Sequence, residues 1–184
     1  MLETMNPEAL ARLRSVLQTH VDQGLLPGAV ALVHHRGQTV LHEAVGHQRP
    51  PSAETATPAM APDTVFRIYS MTKPIASLVA MMLMEEGRLL LSHPVARYLP
   101  AFAAQQVYDP ATGATTPAPR EATVHDMLRH TAGLSYAWDL GTVPDAYRAA
   151  RIGSRRHNTT QLAAALGPLP LVHAPGTCWE YSRA

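Results

Sequence analysis

Phe66-Arg67-Ile68-Tyr69-Ser70-Met71-Thr72-Lys73-Pro74-Ile75 holds the only lysine of this chain, three residues after a serine. Fifteen residues are Lys or Arg, and fourteen of them are Arg. Arg cannot lose its proton in a protein, whereas a buried or cation-flanked Lys can. An amine able to act as a base is what a serine nucleophile requires. The run after Ser70 reads as a helix from about Ser70 to Glu86, with Gly87 as its stop and Ile75, Leu78, Val79, Met82 and Leu83 as its buried face. Residues at i and i+3 of a helix share one face, about 5–6 Å apart at Cβ. Ser70 at the helix start can therefore meet Lys73, where free N–H groups and the positive end of the dipole favour an oxyanion. Codon bias explains an excess of Arg but not the place of its single exception. With eight serines in 184 positions, the spacing arises by chance about 4% of the time. The pair alone leaves two readings open: nucleophile and base, or a capping serine beside a solvated lysine.

Upstream, Asn6 as N-cap and Pro7 in the first turn open a helix with Leu10, Leu13, Leu17 and Val21 as its stripe and Gly24 as its end. Two extended runs follow, 28–35 and 38–45, joined by Arg36-Gly37 as a two-residue hairpin turn. A loop rich in Pro, Ser, Thr and Ala covers about 47–63, and 65–68 reads as a short strand. Downstream, a turn of helix near 94–98 leads to a second such loop, about 104–120. Thr123 caps a helix with Asp126 in a capping-box-like position. That helix ends near His130, and Gly133 supplies a positive φ. Helices are expected at about 144–152 and 158–166, the last capped by Asn158 and ended by Gly167. Pro175-Gly176-Thr177 is a turn. The fold class is α+β: a sheet-region part at about 1–68 and a helical part at about 69–184.

Composition narrows the function. Hydrophobic residues make up 46% of the chain and the net charge is +1, so a core is available and there is no electrostatic footprint for nucleic acid. No apolar run is long enough to cross a bilayer and the first residues lack the regions of a signal peptide, so no membrane partner and a cytoplasmic location are expected. Cys178 is the only cysteine, which rules out an intrachain disulfide; packing is its expected role.

Other features are weaker. Ten histidines invite a metal reading, but His34 and His35 point to opposite strand faces and no metal-binding spacing is present, so no metal or cofactor is expected. His130 is expected to hold a turn by hydrogen bonding. Gly133-Leu134-Ser135-Tyr136-Ala137 approaches the Gly-x-Ser-x-Gly elbow but lacks the last glycine and the preceding strand, so Ser135 reads as a loop residue. Met81, Met82 and Met84 read as core filler, and Glu85-Glu86 as a solvated helix end.

The 66–75 segment resembles the nucleophile segment of the class C β-lactamase and penicillin-binding-protein-like serine hydrolases. Three later segments resemble that family in the same order. They are Glu85-Glu86-Gly87-Arg88-Leu89 leading to Pro94-Val95-Ala96-Arg97-Tyr98-Leu99-Pro100; Thr123-Val124-His125-Asp126-Met127-Leu128-Arg129-His130-Thr131-Ala132-Gly133-Leu134; and Pro175-Gly176-Thr177-Cys178-Trp179-Glu180-Tyr181-Ser182. The resemblance covers essentially the whole chain. It implies a β-lactamase/transpeptidase-like fold and a serine hydrolase working through an acyl-enzyme without cofactor. Ser70 is then the nucleophile, its N–H half of an oxyanion hole; Lys73 accepts its proton, and Tyr181 shares that proton.

Two departures refine what the resemblance implies. Tyr181-Ser182-Arg183 stands where β-lactamases have Tyr-x-Asn, and Arg offers donors but no carbonyl. The variant resembles the family VIII carboxylesterases, so small esters are the expected substrate; a β-lactamase or D-alanyl-D-alanine carboxypeptidase is the runner-up. The family also carries a third motif on a sheet strand that this chain lacks, so the chain reads as 1–184 of a truncated domain, its N-terminal half. That departure keeps a reading of another class open, an inactive fragment or interaction module.

Overall fold

Asn6 opens the first element as expected. In the computed structural model, which describes residues 5–50, 56–136, 145–154 and 156–182, its side chain accepts from the Glu8 N–H at 2.9 Å and starts helix α1, Pro7–Asp22. Strands β1, Gly28–His35, and β2, Gln38–Gly46, pair antiparallel, with a register shift after Val33. Arg36 and Gly37 both take positive φ, 49° and 81°. This is the primed turn whose twist matches that of two adjoining strands. Helix α1 packs on the hairpin, and Arg14 reaches Glu43 at 3.3 Å. Residues Val65–Ile68 are not a strand: they join no ladder, and Val65, Phe66 and Ile68 are exposed. Apolar alternation makes a strand only where a partner's backbone groups are within reach.

The chain divides into two compact units, Met1–Tyr69 and Ser70–Ala184. The second begins in a single 3-10 turn, Tyr69–Met71, that runs into helix α2, Thr72–Glu85. The helix stops where expected, with Gly87 at φ 69°. Its apolar stripe is not buried as expected: Ile75 is 56% and Leu78 62% exposed, and no residue of α2 is buried. A helix buries its stripe only where another layer lies on it.

The core of this unit lies further along the chain. Val95, Phe102, Ala122, Ala132, Leu134, Tyr147, Ile152, Leu166, Leu169 and Leu171 form one buried cluster. The segment 104–120, expected as a loop, contains a hairpin of β3, Gln106–Tyr108, and β4, Thr115–Pro117. Val107 also bridges to Leu171, 64 positions on, and that non-local contact could not be read from local composition. Helix α3, Val124–Leu128, carries the full capping box of Thr123 and Asp126. Helices α4, Asp145–Ala149, and α5, Thr159–Leu166, follow, α5 with its own capping box on Asn158 and Gln161. Residue 144 of the expected 144–152 helix lies outside the described residues. Gly167 follows α5 in right-handed backbone; a side chain there would strike Ala101, so close packing sets its identity. Among the described residues, no helix is long and apolar enough to cross a membrane.

Candidate active site

Ser70 is the middle residue of the 3-10 turn that leads into α2. Tyr69, just before it, has φ 45°. A bulky residue in left-handed backbone is strained, and such strain gathers at functional sites. Met71, the N-cap of α2, makes no side-chain capping bond, so no side chain spends itself on the first-turn N–H groups through that position. Ser70 is exposed.

Lys73 lies one turn further on, half-buried. Its Nζ donates to the Tyr136 hydroxyl at 3.1 Å. It also lies 5.0 Å from the centre of the Tyr181 ring and 5.6 Å from that of Tyr136. Both distances are within the reach of a cation–π contact. The two rings stack with centroids 5.5 Å apart and planes 29° from parallel. The structure thus brings two of the sequence-derived site residues together, Lys73 and Tyr181, and adds Tyr136. Among the described residues, the hydrogen bond of Lys73 goes to Tyr136, not to Ser70. Tyr136 is not among the residues the sequence singles out, since the segment 133–137 reads there as a near-elbow around Ser135; its one cue is its place just after the Gly133 turn. A cavity of about 150 Å³ opens beside the lysine, lined by Lys73, Ala76, Ser77, Met127, Leu128 and His130.

The segment that carries Tyr181 is fastened to the end of α3. His130 sits in left-handed backbone, φ 59°. Its carbonyl accepts from the Glu180 N–H at 2.9 Å and its Nδ1 accepts from the Ser182 N–H at 3.3 Å. Its ring meets Tyr181 at 4.7 Å and Trp179 at 6.3 Å. Burial, and then the charge of Lys73, hold the His130 imidazole below its usual pKa, which keeps Nδ1 able to accept. Ser135, buried as well as in a loop, donates to Glu180 Oε1 at 2.7 Å, and His173 Nε2 lies 3.8 Å from Glu180 Oε2. The hydroxyl of this serine thus bonds a carboxylate. A Ser–His–acid relay needs the imidazole next to the hydroxyl. Ala137 and Arg183 lie outside the described residues. Cys178, expected to be packed, is exposed: the Pro175-Gly176-Thr177 turn sets it outward while Ser182 goes in.

Asp126 anchors the turn beneath this site. Burial raises its carboxyl, but bonds from Arg120, Thr123 and Thr131 outweigh burial and hold it well below the usual carboxylate range. Arg120 is bidentate, at 2.6 and 3.0 Å. A side chain at Gly176 would collide with the Arg120 guanidinium, so this glycine lets the turn close over the ion pair. Among the described residues, no group of three or more His, Cys, Asp or Glu could hold a metal ion.

A serine in the 3-10 turn before a helix, a lysine three residues on and a tyrosine ring over that lysine make up this candidate site, and comparison with known proteins gives the family. The Beta-lactamase family model matches residues 13–184, and the chain belongs to that family. It is 38% identical over 167 residues to Protein Rv1367c of Mycobacterium tuberculosis, covering 89% of this chain and 40% of that one. It is 34% identical over 178 residues to Esterase EstB of Burkholderia gladioli, covering 95% and 42%. Among solved structures it is similar to EstCE1, described as a hydrolase with promiscuous acyltransferase activity. That match has a TM-score of 0.74 and 28% identity and covers 95% of this chain and 44% of that one. The chain therefore spans about two fifths of the length of these relatives, and its mixed helix and strand belong to the β-lactamase/transpeptidase-like fold.

Proposed function

We propose that the protein is a serine hydrolase that cleaves small carboxylic esters through an acyl-enzyme on Ser70. The observation that carries this reading is the seat of Lys73, the only lysine, one helical turn after an exposed serine and under the Tyr181 ring. In this reading Ser70 Oγ attacks the ester carbonyl carbon as its proton passes to the Lys73 amine. The N–H groups at the start of α2 face the oxyanion that forms. Collapse breaks the bond to the alcohol, which takes up a proton relayed by Lys73 and Tyr181. Water then attacks the acyl-serine, and the acid leaves.

Two features favour esters over β-lactams: an arginine, not an asparagine, stands two residues after Tyr181, and a relative bears the name esterase. The name of EstCE1 supports a second outcome for the same intermediate, transfer of the acyl group to an alcohol in place of water. The test uses the whole protein with a short p-nitrophenyl ester, a chromogenic cephalosporin and a fluorophosphonate label. The ester turns over faster than the cephalosporin, and Ser70→Ala abolishes both turnover and labelling. Labelling or turnover that survives in Ser70→Ala overturns the assignment; faster cephalosporin turnover overturns the ester preference.

A further inference from the structure

A lysine amine ends a flexible four-carbon stem with large rotamer freedom. A base must be held in reacting geometry, since a misplacement of about 1 Å costs about 100-fold in rate. A ring face attracts a cation but fixes its position loosely, because the attraction spreads over the ring. A hydrogen bond at 3.1 Å fixes it at one atom. For Lys73 that atom is the oxygen of Tyr136.

We propose that Tyr136 is a positioning residue for Lys73: its hydroxyl holds the amine in the place from which it serves Ser70. The proposal rests on the reading of Ser70 and Lys73 as nucleophile and base. An amine that gives one N–H to Tyr136 keeps its lone pair for the proton of Ser70, and as an ammonium it can keep the same bond. Tyr136 is itself held. Leu134, two residues before it, is in the core. Ser135 joins its segment to Glu180, so the residues just before the two stacked tyrosines are bonded to each other. Val172 N–H donates to the Gly133 carbonyl at 2.8 Å and secures the near end of the segment. The amine thus meets a hydroxyl on a segment tied down at several points.

Tyr136→Phe in the whole protein keeps the ring and its stack and removes only the hydroxyl. The expected result with a short p-nitrophenyl ester is a fall in kcat of about 10- to 100-fold with KM within about threefold, and an unchanged thermal melt. Lys73 is the only lysine, so protein made with ¹³Cε-lysine gives a single lysine signal. In Tyr136→Phe that signal moves toward the position of a solvated lysine. An unmoved signal, an unchanged kcat, or a rise in KM alone overturns the proposal. Ser135→Ala, which loosens the Tyr136 segment and leaves every tyrosine in place, is the second variant. It lowers kcat in the same sense by a smaller factor, and full activity in it counts against the proposal. Ser70→Ala separates the two questions. If it retains turnover, the nucleophile reading fails and the catalytic proposal falls with it. If it is inactive while Tyr136→Phe behaves as wild type, only the role of Tyr136 fails.

Discussion

Ser135 Oγ donates to Glu180 Oε1 at 2.7 Å across 45 positions of sequence. The bond joins the residue before Tyr136 to the residue before Tyr181. The stack of those two rings over Lys73 depends on two loops that share no regular secondary structure.

Ser135→Ala leaves the Glu180 carboxylate without its buried donor. A hydrogen bond to a charged group contributes about 1.5–3 kcal/mol; with Glu180 partly exposed, water makes up some of the loss, and about 1–2 kcal/mol of destabilisation is expected. Urea denaturation of the variant beside wild type measures it. An unchanged midpoint and slope show that the bond holds nothing together.

His130 links stability to pH. Its folded pKa lies below the ordinary 6.5 because of burial and Lys73. The unfolded chain therefore takes up the proton first as pH falls. Stability is full above about pH 6.5, declines as pH drops toward the folded value, and levels off below it. His130→Asn retains an acceptor and suits φ 59°, so it removes that part of the decline. Unfolding free energies at several pH values between 7 and 5 test this, and an unaltered slope in the variant counts against it.

Asp126 governs the acid limb below that range. Its folded pKa is depressed, so its contribution is present above the ordinary value of 3.8 and is lost as pH falls through the folded one. Asp126→Ala leaves Arg120 without its bidentate partner and breaks the cap of α3, at a cost of about 3 kcal/mol. Denaturation at pH 7 and at pH 3 should show a large difference between variant and wild type at the first and a somewhat smaller one at the second, because pH 3 lies just below the ordinary value and still above the folded one.

Arg36 occupies a turn position that favours Asn. Arg36→Asn completes an Asn-Gly primed turn and is expected to stabilise the hairpin by about 0.5–1 kcal/mol. A rise in thermal midpoint checks it; a fall shows that the Arg36 side chain makes a contribution of its own.

Lys73→Arg keeps a positive charge near both rings and cannot supply a free amine. The whole protein carrying it should lose ester turnover by a factor on the order of 100 or more, with its melt nearly unchanged. Turnover near wild type removes Lys73 from the proton path.

Much of the local structure was legible because its causes are local. Asn6, Thr123 and Asn158 cap helices because a short polar side chain reaches an N–H two or three residues on. Arg36-Gly37 turns the hairpin because two strands and a two-residue gap leave few conformations. The order of four segments was enough for the family. Less legible was anything that needed a distant partner. Residues 65–68 have strand composition but join no ladder, the stripe of α2 has helical spacing but is exposed, and 104–120 has loop composition but pairs within itself and with Leu171.

The site divides along the same line. The sequence by itself determined that a helix begins beside Ser70 with Lys73 in its first turn, because the run that follows has helical spacing. Only the tertiary structure decided what the amine meets. Tyr136 is 63 positions from Lys73 and Tyr181 is 108, and no local propensity sets such distances. They follow from the packing of Leu134, the Ser135–Glu180 bond and the hold of His130 on residues 180–182, which together bring two separate loops to one lysine.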